Sequence, residues 1–136
     1  MRDDNCIFCK LANGAIPTNT IYEDADFRVI LDASPAAKGH ALILPKQHYV
    51  NMFEIDDEVL AKAAKLAKRV ITHEKEVLGC DGYNVLQNNG EAAGQTVFHF
   101  HMHLIPRKAG DQAVPEWEHL SLSDDEMKEI CDKMKM

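Results

Sequence analysis

Basic residues are in deficit: 15 Lys and Arg stand against 22 Asp and Glu, for a formal net charge of -7. This excludes broad binding to a nucleic-acid backbone, which relies on clustered cations that release counterions. A small phosphate ligand stays open, because it needs only a local pocket of donors. Long apolar runs are missing too. Stretches such as Ala41-Leu42-Ile43-Leu44 fall far short of the ~20 residues a membrane span requires. The opening Met1-Arg2-Asp3-Asp4-Asn5 is too acidic for a signal peptide, so a cytoplasmic protein with no membrane partner is expected. Only four cysteines occur, at positions 6, 9, 80 and 131; without a secretory signal they fit a reducing compartment, not a disulfide framework. Repeats, low-complexity tracts and Pro/Gly-rich linkers are also lacking, which predicts one domain over residues 1–136.

What is present is an ordinary globular composition, 46% hydrophobic and 27% charged. Cys6 to Ala12 can form a short helix stopped by Gly14 and Pro17. Thr20 to Tyr22 and Phe27 to Leu31 read as strands joined through Glu23 to Asp26, and Ala41 to Leu44 as a third strand ending at Pro45. From Asp57 to Leu78, apolar residues such as Val59, Ala63, Leu66 and Val70 recur at the helical period. Asp56 or Asp57 can cap this helix and Gly79 can end it. Tyr83 to Gln87 and Val97 to Ile105 read as an antiparallel strand pair around the loop Asn88 to Gly94. Ser123 to Glu126 forms a capping-box pattern before Met127, Ile130 and Met134, predicting a C-terminal helix. The class is α+β: an antiparallel sheet of about five strands, one long central helix and short terminal helices, all on one side of the sheet.

The unusual feature is Val97-Phe98-His99-Phe100-His101-Met102-His103-Leu104-Ile105. In a strand, His99, His101 and His103 share one face while Phe100, Met102 and Leu104 take the other. One metal held by all three fails on distance: at ~3.3 Å per residue the outer pair lie roughly 13 Å apart, whereas zinc–nitrogen bonds are ~2.0–2.1 Å. The row therefore divides its work. His101, central and flanked, is the candidate nucleophile. The preceding loop, Asn88 to Thr96, offers amides, a hydroxyl and glycines suited to a phosphate. Cys6-x-x-Cys9 can be half of a zinc site, but one pair alone leaves redox and plain thiol readings open.

His99-Phe100-His101-Met102-His103-Leu104-Ile105 resembles the His-φ-His-φ-His-φ-φ signature (φ hydrophobic) of the histidine-triad (HIT) nucleotide hydrolases and transferases. Cys6-Ile7-Phe8-Cys9, Ile30 to Pro35, Gly39 to His48 and Asn88 to Arg107 resemble the Hint branch in its bacterial form. The resemblance implies a homodimer whose sheets join, with a purine nucleotide bound by each subunit. It makes His101 the nucleophile that attacks the α-phosphorus and forms a nucleotidyl-histidine. His103 and Gln95 match phosphate contacts, Asn88 a residue near sugar and phosphate, and Asp32 one binding the ribose hydroxyls. Ile7, Phe8, Leu11 and Ile30 match the base pocket, and His40 a fourth histidine supporting the middle one; a hydrogen bond from such a partner, or from a nearby backbone carbonyl, would fix which nitrogen of His101 is free to attack. Thr96 stands where serine is usual; its hydroxyl can still help protonate a leaving amine. The resemblance completes the zinc set as Cys6, Cys9, His48 and His99, a closed structural site, and implies no catalytic metal. His73 and His119 match no motif and are expected at the surface. Lys108 to Leu120 departs from the Hint pattern and is a candidate for shaping the leaving-group side, through Trp117.

The activity implied is a purine nucleoside phosphoramidase acting on adenosine 5′-monophosphoramidate or aminoacyl-adenylate-type substrates. The competing readings are a dinucleoside polyphosphate hydrolase, a nucleotide-dependent binding module with incidental turnover, and a metal hydrolase working through the histidine row.

Overall fold

The computed structural model describes residues 1–112 and 117–136, so residues 113–116 of the Lys108 to Leu120 segment lie outside the described residues. In chain order the elements are α1 (Ile7–Ala12), β1 (Thr20–Glu23), β2 (Phe27–Leu31), β3 (Ala41–Pro45), α2 (Asp57–Leu78), β4 (Gly82–Leu86), a 3₁₀ turn (Glu91–Ala93), β5 (Met102–Arg107) and α3 (Asp124–Met134). The five strands form one sheet in the order β1-β2-β3-β5-β4, each neighbouring pair antiparallel. No described helix is long and apolar enough to cross a membrane.

Local chemistry explains the elements. Asp24 turns the β1–β2 hairpin, its Oδ1 accepting from the Asp26 and Phe27 amides at 2.8 Å each. Helix α2 buries Ala63, Leu66, Ala67 and Val70 against Phe27, Val29, Ala41, Ile43, Phe100 and Leu104. Asp57 and Glu58 complement the positive end of its dipole. Asp56 occupies the cap position but makes no capping bond; its carboxylate accepts from the Tyr49 hydroxyl at 3.2 Å. Gly79 ends the helix at φ 65°, with its N–H on the Lys75 carbonyl.

Alternation along β3 sends Ala41 and Ile43 toward α2 and Leu42 and Leu44 to the opposite face, where they meet Ala12, Ile30, Phe8 and Leu11. Helix α1 therefore covers the face that α2 does not, which corrects the expectation of helices on one side. Both faces of β3 are buried. Helix α3 carries the expected capping box through Ser123 and Glu126, but it is exposed along its whole length, with Met127, Ile130 and Met134 in solvent.

The histidine segment also differs from the sequence reading. Pairing with β3 stops at Ile43↔Met102, and β5 begins at Met102, not Val97. Farther along β3 stands Pro45, which has no N–H to extend the ladder. Phe100 N–H instead reaches the Tyr49 carbonyl, at 2.6 Å. The alternation survives outside the ladder: Phe100 and Leu104 pack toward α2, while His101 meets Phe8 of α1 with ring centroids 4.9 Å apart.

Candidate active site and metal centre

The first triad histidine leaves the ladder to join the N-terminal helix. Its Nδ1 lies 3.4 Å from both Cys6 Sγ and Cys9 Sγ, and His48 Nδ1 lies 3.4 Å from Cys9 Sγ. The four ligand atoms all fall within 4.8 Å of one another. Zinc bonds of ~2.0–2.3 Å place neighbouring tetrahedral ligands about 3.5 Å apart, so the cluster has the dimensions of a Cys₂His₂ site. Supporting bonds are in place. His99 Nε2–H donates to the Pro45 carbonyl at 2.9 Å, which leaves Nδ1 as the free lone pair, and Asp3 N–H donates to Cys9 Sγ at 3.4 Å. Burial pushes the Cys9 thiol up and, as its main cause, pushes His99 down to about 4. A dication favours the thiolate, and a neutral imidazole is already the ligand form.

The same residue orients the second histidine. His101 Nδ1–H donates to the His99 carbonyl at 2.7 Å, so Nε2 carries the lone pair. The ring is 7% exposed, and burial lowers its pKa against the opposing influence of that hydrogen bond and of Asp32. A neutral imidazole with a committed Nδ1 and a free Nε2 is prepared for nucleophilic attack.

His103 pairs with Leu42 on β3 and Leu86 on β4, near the middle of the sheet. Its ring centroid is 4.9 Å from that of His101. His40 Nε2 lies 3.0 Å from His103 Nδ1 and 3.5 Å from Asp32 Oδ2. His40 thus bonds the third triad histidine, where the resemblance implies support of the middle one. Gly39 makes the placement of His40 possible: it sits at φ 96°, and a Cβ there would fall 2.7 Å from Leu78 Cδ1. Burial pushes His103 down to about 4, assisted by His101 and His40, and also lowers His40.

The remaining candidates divide. Asp32 is partly exposed beside His40 while its Oδ1 accepts from Ser34 N–H at 2.8 Å. Asn88 is half-buried next to the loop glycine Gly94, and among the described residues its side-chain amide has no hydrogen-bond partner. Thr96 is exposed and lines a cavity of about 410 Å³ with Cys6, Ile7, His48 and Phe98. Gln95 is 2% exposed; its Oε1 accepts from Gly90 N–H, and its Nε2 donates to the Val50 and Val97 carbonyls at 2.7 and 3.1 Å, so its amide holds the loop. Of the four base-pocket candidates, Ile7 is 50% exposed, Phe8 and Leu11 are half-buried, and Ile30 lies beneath Phe8 and Leu11 in the core. His73 and His119 are exposed, as expected.

A cavity of about 850 Å³ lies away from this chemistry, between β1 and α2 beside Tyr22, Leu66 and Arg69. Of the two groups expected to orient His101, His40 or a nearby backbone carbonyl, the structure has the carbonyl, that of His99; the Pro45 carbonyl and the amides of Asp3 and Ala36 were missed. Main-chain donors and acceptors carry no side-chain signature.

A family model described as the HIT domain matches residues 13–110, and the chain belongs to this family. Among relatives, it is 47% identical over 109 residues to an uncharacterized HIT-like protein of Methanocaldococcus jannaschii, covering 80% of this chain and 84% of that one. It is 40% identical to adenosine 5′-monophosphoramidase hnt1 of Schizosaccharomyces pombe, over 96% of this chain and 99% of that protein. Among solved structures it is similar to a zinc-bound histidine triad family protein from Mycobacterium smegmatis, with a TM-score of 0.78, 39% identity and coverage of 84% and 83% of the two chains.

Proposed function

We propose that the protein, as one unit over residues 1–136, is a HIT-family hydrolase that cleaves purine nucleoside 5′-phosphoramidates through a covalent nucleotidyl-histidine at His101. The observation that carries this reading is the His101 ring, with Nδ1–H on the His99 carbonyl and a free Nε2 beside His103. Its enzymatic character is supported by relatives that are adenosine 5′-monophosphoramidases, from Schizosaccharomyces pombe and Saccharomyces cerevisiae.

In the proposed reaction His101 Nε2 attacks the α-phosphorus and the P–N bond breaks. The amine leaves with a proton passed from solvent through the Thr96 hydroxyl, and the water that later attacks phosphorus releases one proton in return. Because His101 keeps its proton on Nδ1, the intermediate is an N-phosphorylated imidazolium, a good leaving group. Water then displaces the nucleoside monophosphate and restores neutral His101. His103 and loop amides around Asn88 stabilise the phosphoryl oxygens. Asp32 accepts from the ribose hydroxyls, and Phe8 and Leu11, with Ile7 at the rim and Ile30 behind, contact the purine. Zinc on Cys6, Cys9, His48 and His99 serves as a structural tie between α1 and the catalytic segment and takes no part in the chemical steps. The free cysteines, among them exposed Cys131, support a reducing cytoplasmic setting.

Initial rates on three substrates test the assignment. The expected kcat/KM for adenosine 5′-monophosphoramidate exceeds that for diadenosine tetraphosphate by about a hundredfold, since each tenfold corresponds to only 1.36 kcal/mol at the transition state. The 2′-deoxy analogue is expected to lose about tenfold, for one missing hydrogen bond to Asp32. A preference for the dinucleotide would transfer the protein to the polyphosphate-hydrolase reading.

We also propose a homodimer. Among the described residues strand β4 is a sheet edge with no partner on its outer side, and α3 leaves Met127, Ile130 and Met134 uncovered, so both present surfaces that a second copy can bury. Sedimentation equilibrium at micromolar concentration is expected to give twice the chain mass; a monomer at 15.3 kDa would contradict it.

A further inference from the structure

We infer that the backbone N–H of Ala36 is a positioning group for the site: it fixes the protons of His40 and His103 so that His103 offers Nε2–H to the substrate, and it bars a metal ion from the Asp32–His40–His103 cluster. What His103 Nε2–H meets rests on the function proposed above; the proton positions and the metal exclusion do not.

The proton positions follow from one bond. Ala36 N–H lies 2.9 Å from His40 Nδ1. A peptide N–H only donates, so Nδ1 is the acceptor, and the single proton of a neutral imidazole sits on Nε2. That nitrogen faces His103 Nδ1 at 3.0 Å, with Asp32 Oδ2 at 3.5 Å. Donation to His103 Nδ1 then leaves the His103 proton on Nε2, which has no hydrogen-bond partner among the described residues. Burial lowers the pKa of both rings, which favours their neutral forms. His101 and His103 consequently present opposite capacities to a ligand between them: a lone pair from His101 Nε2 and a donor from His103 Nε2.

The same bond decides a second question. Asp32, His40 and His103 each bring a potential ligand atom to within 4.8 Å of the others, the dimensions of a two-histidine, one-carboxylate metal site. A metal on His40 Nε2 needs the lone pair there, which sends the proton to Nδ1. Nδ1–H would then confront Ala36 N–H, two donors at 2.9 Å with no acceptor. At the Cys₂His₂ cluster the corresponding bond has the opposite polarity: His99 donates to a carbonyl and so frees a ligand nitrogen. Backbone polarity therefore separates a metal site from a proton-donor pair.

Long-range ¹H–¹⁵N correlation spectra of the zinc-loaded protein, labelled at histidine, read the tautomers directly. The expected result is Nε2–H for His40 and His103 and Nδ1–H for His101. Nδ1–H at His40 or His103 overturns the inference. Metal analysis after dialysis from a fivefold excess of zinc is expected to give one ion per chain; a second ion abolished by Asp32→Ala also overturns it. Ala36→Pro removes the N–H and is expected to leave His40 in mixed tautomers and admit a second ion, whereas Ala36→Ser keeps the amide and the wild-type spectrum. A folded Ala36→Pro protein with unchanged tautomers counts against the inference; if that variant does not fold, the wild-type spectrum and metal count still decide. The expected tautomers in a protein without phosphoramidase activity would sink the proposed function alone.

Discussion

His101→Ala is expected to lower kcat/KM for adenosine 5′-monophosphoramidate by at least about a thousandfold, or roughly 4 kcal/mol of transition-state stabilisation. The size follows from the site. His101 Nε2 is the nitrogen left free by the bond to the His99 carbonyl, and the neighbouring imidazole, His103, has its Nδ1 engaged by His40. No adjacent group can take over attack with the same geometry. In the proposed complex ground-state binding rests on Asp32, the loop amides and the base pocket, so affinity for the nucleoside monophosphate is expected to change by no more than about threefold, within the usual effect of one lost neutral contact. Steady-state kinetics with equilibrium binding on the same protein separates the two effects. A variant that retains a tenth of wild-type turnover would remove His101 from the role of nucleophile.

Cys9→Ser carries the second large effect. Cys9 Sγ faces both His48 and His99, and the cluster joins three distant parts of the chain: α1, the turn after β3, and the segment before β5. Losing a thiolate from a closed tetrahedral site removes binding energy that is also folding energy. The expected outcome is bound zinc below about a fifth of an ion per chain and a Tm lower by about 10 °C or more, at the 2–8 °C per kcal/mol of small domains. Turnover is expected to fall as well, although the proposed zinc takes no chemical step, because the His99 carbonyl holds His101 while the His99 ring belongs to the Cys₂His₂ cluster. Metal analysis and calorimetry test this together. A zinc-free variant with wild-type Tm would show that the cluster is not a structural centre.

Elements set by local pattern were legible in the sequence. The period of α2, its end at Gly79, the capping box of α3 and the hairpin at Asp24 each depend on residues within a few positions of one another. Alternation across His99, His101 and His103 also survived, because Phe100 and Leu104 must reach the core. What was not legible depends on partners far away in the chain. The start of β5 is set by where Pro45 lies on β3, and the meeting of His40 with His103 by the β3–β5 register. Helix α1 covers the second face because both sides of β3 are apolar, a pattern that states burial but not which helix supplies it. Gln95 was readable as a polar loop residue; that its amide turns inward depends on the Val50 carbonyl, 45 positions earlier. The division of work along the histidine row was legible from alternation and spacing; the particular main-chain groups that orient each ring were not.

The central claim is that His101 becomes covalently nucleotidylated. Wild-type protein mixed with adenosine 5′-monophosphoramidate, quenched in the steady state and digested, should yield one adenylylated peptide with the modification on His101. An adduct on His103 or His40 formed at the rate of turnover, or turnover with no adduct at any histidine, would contradict the account.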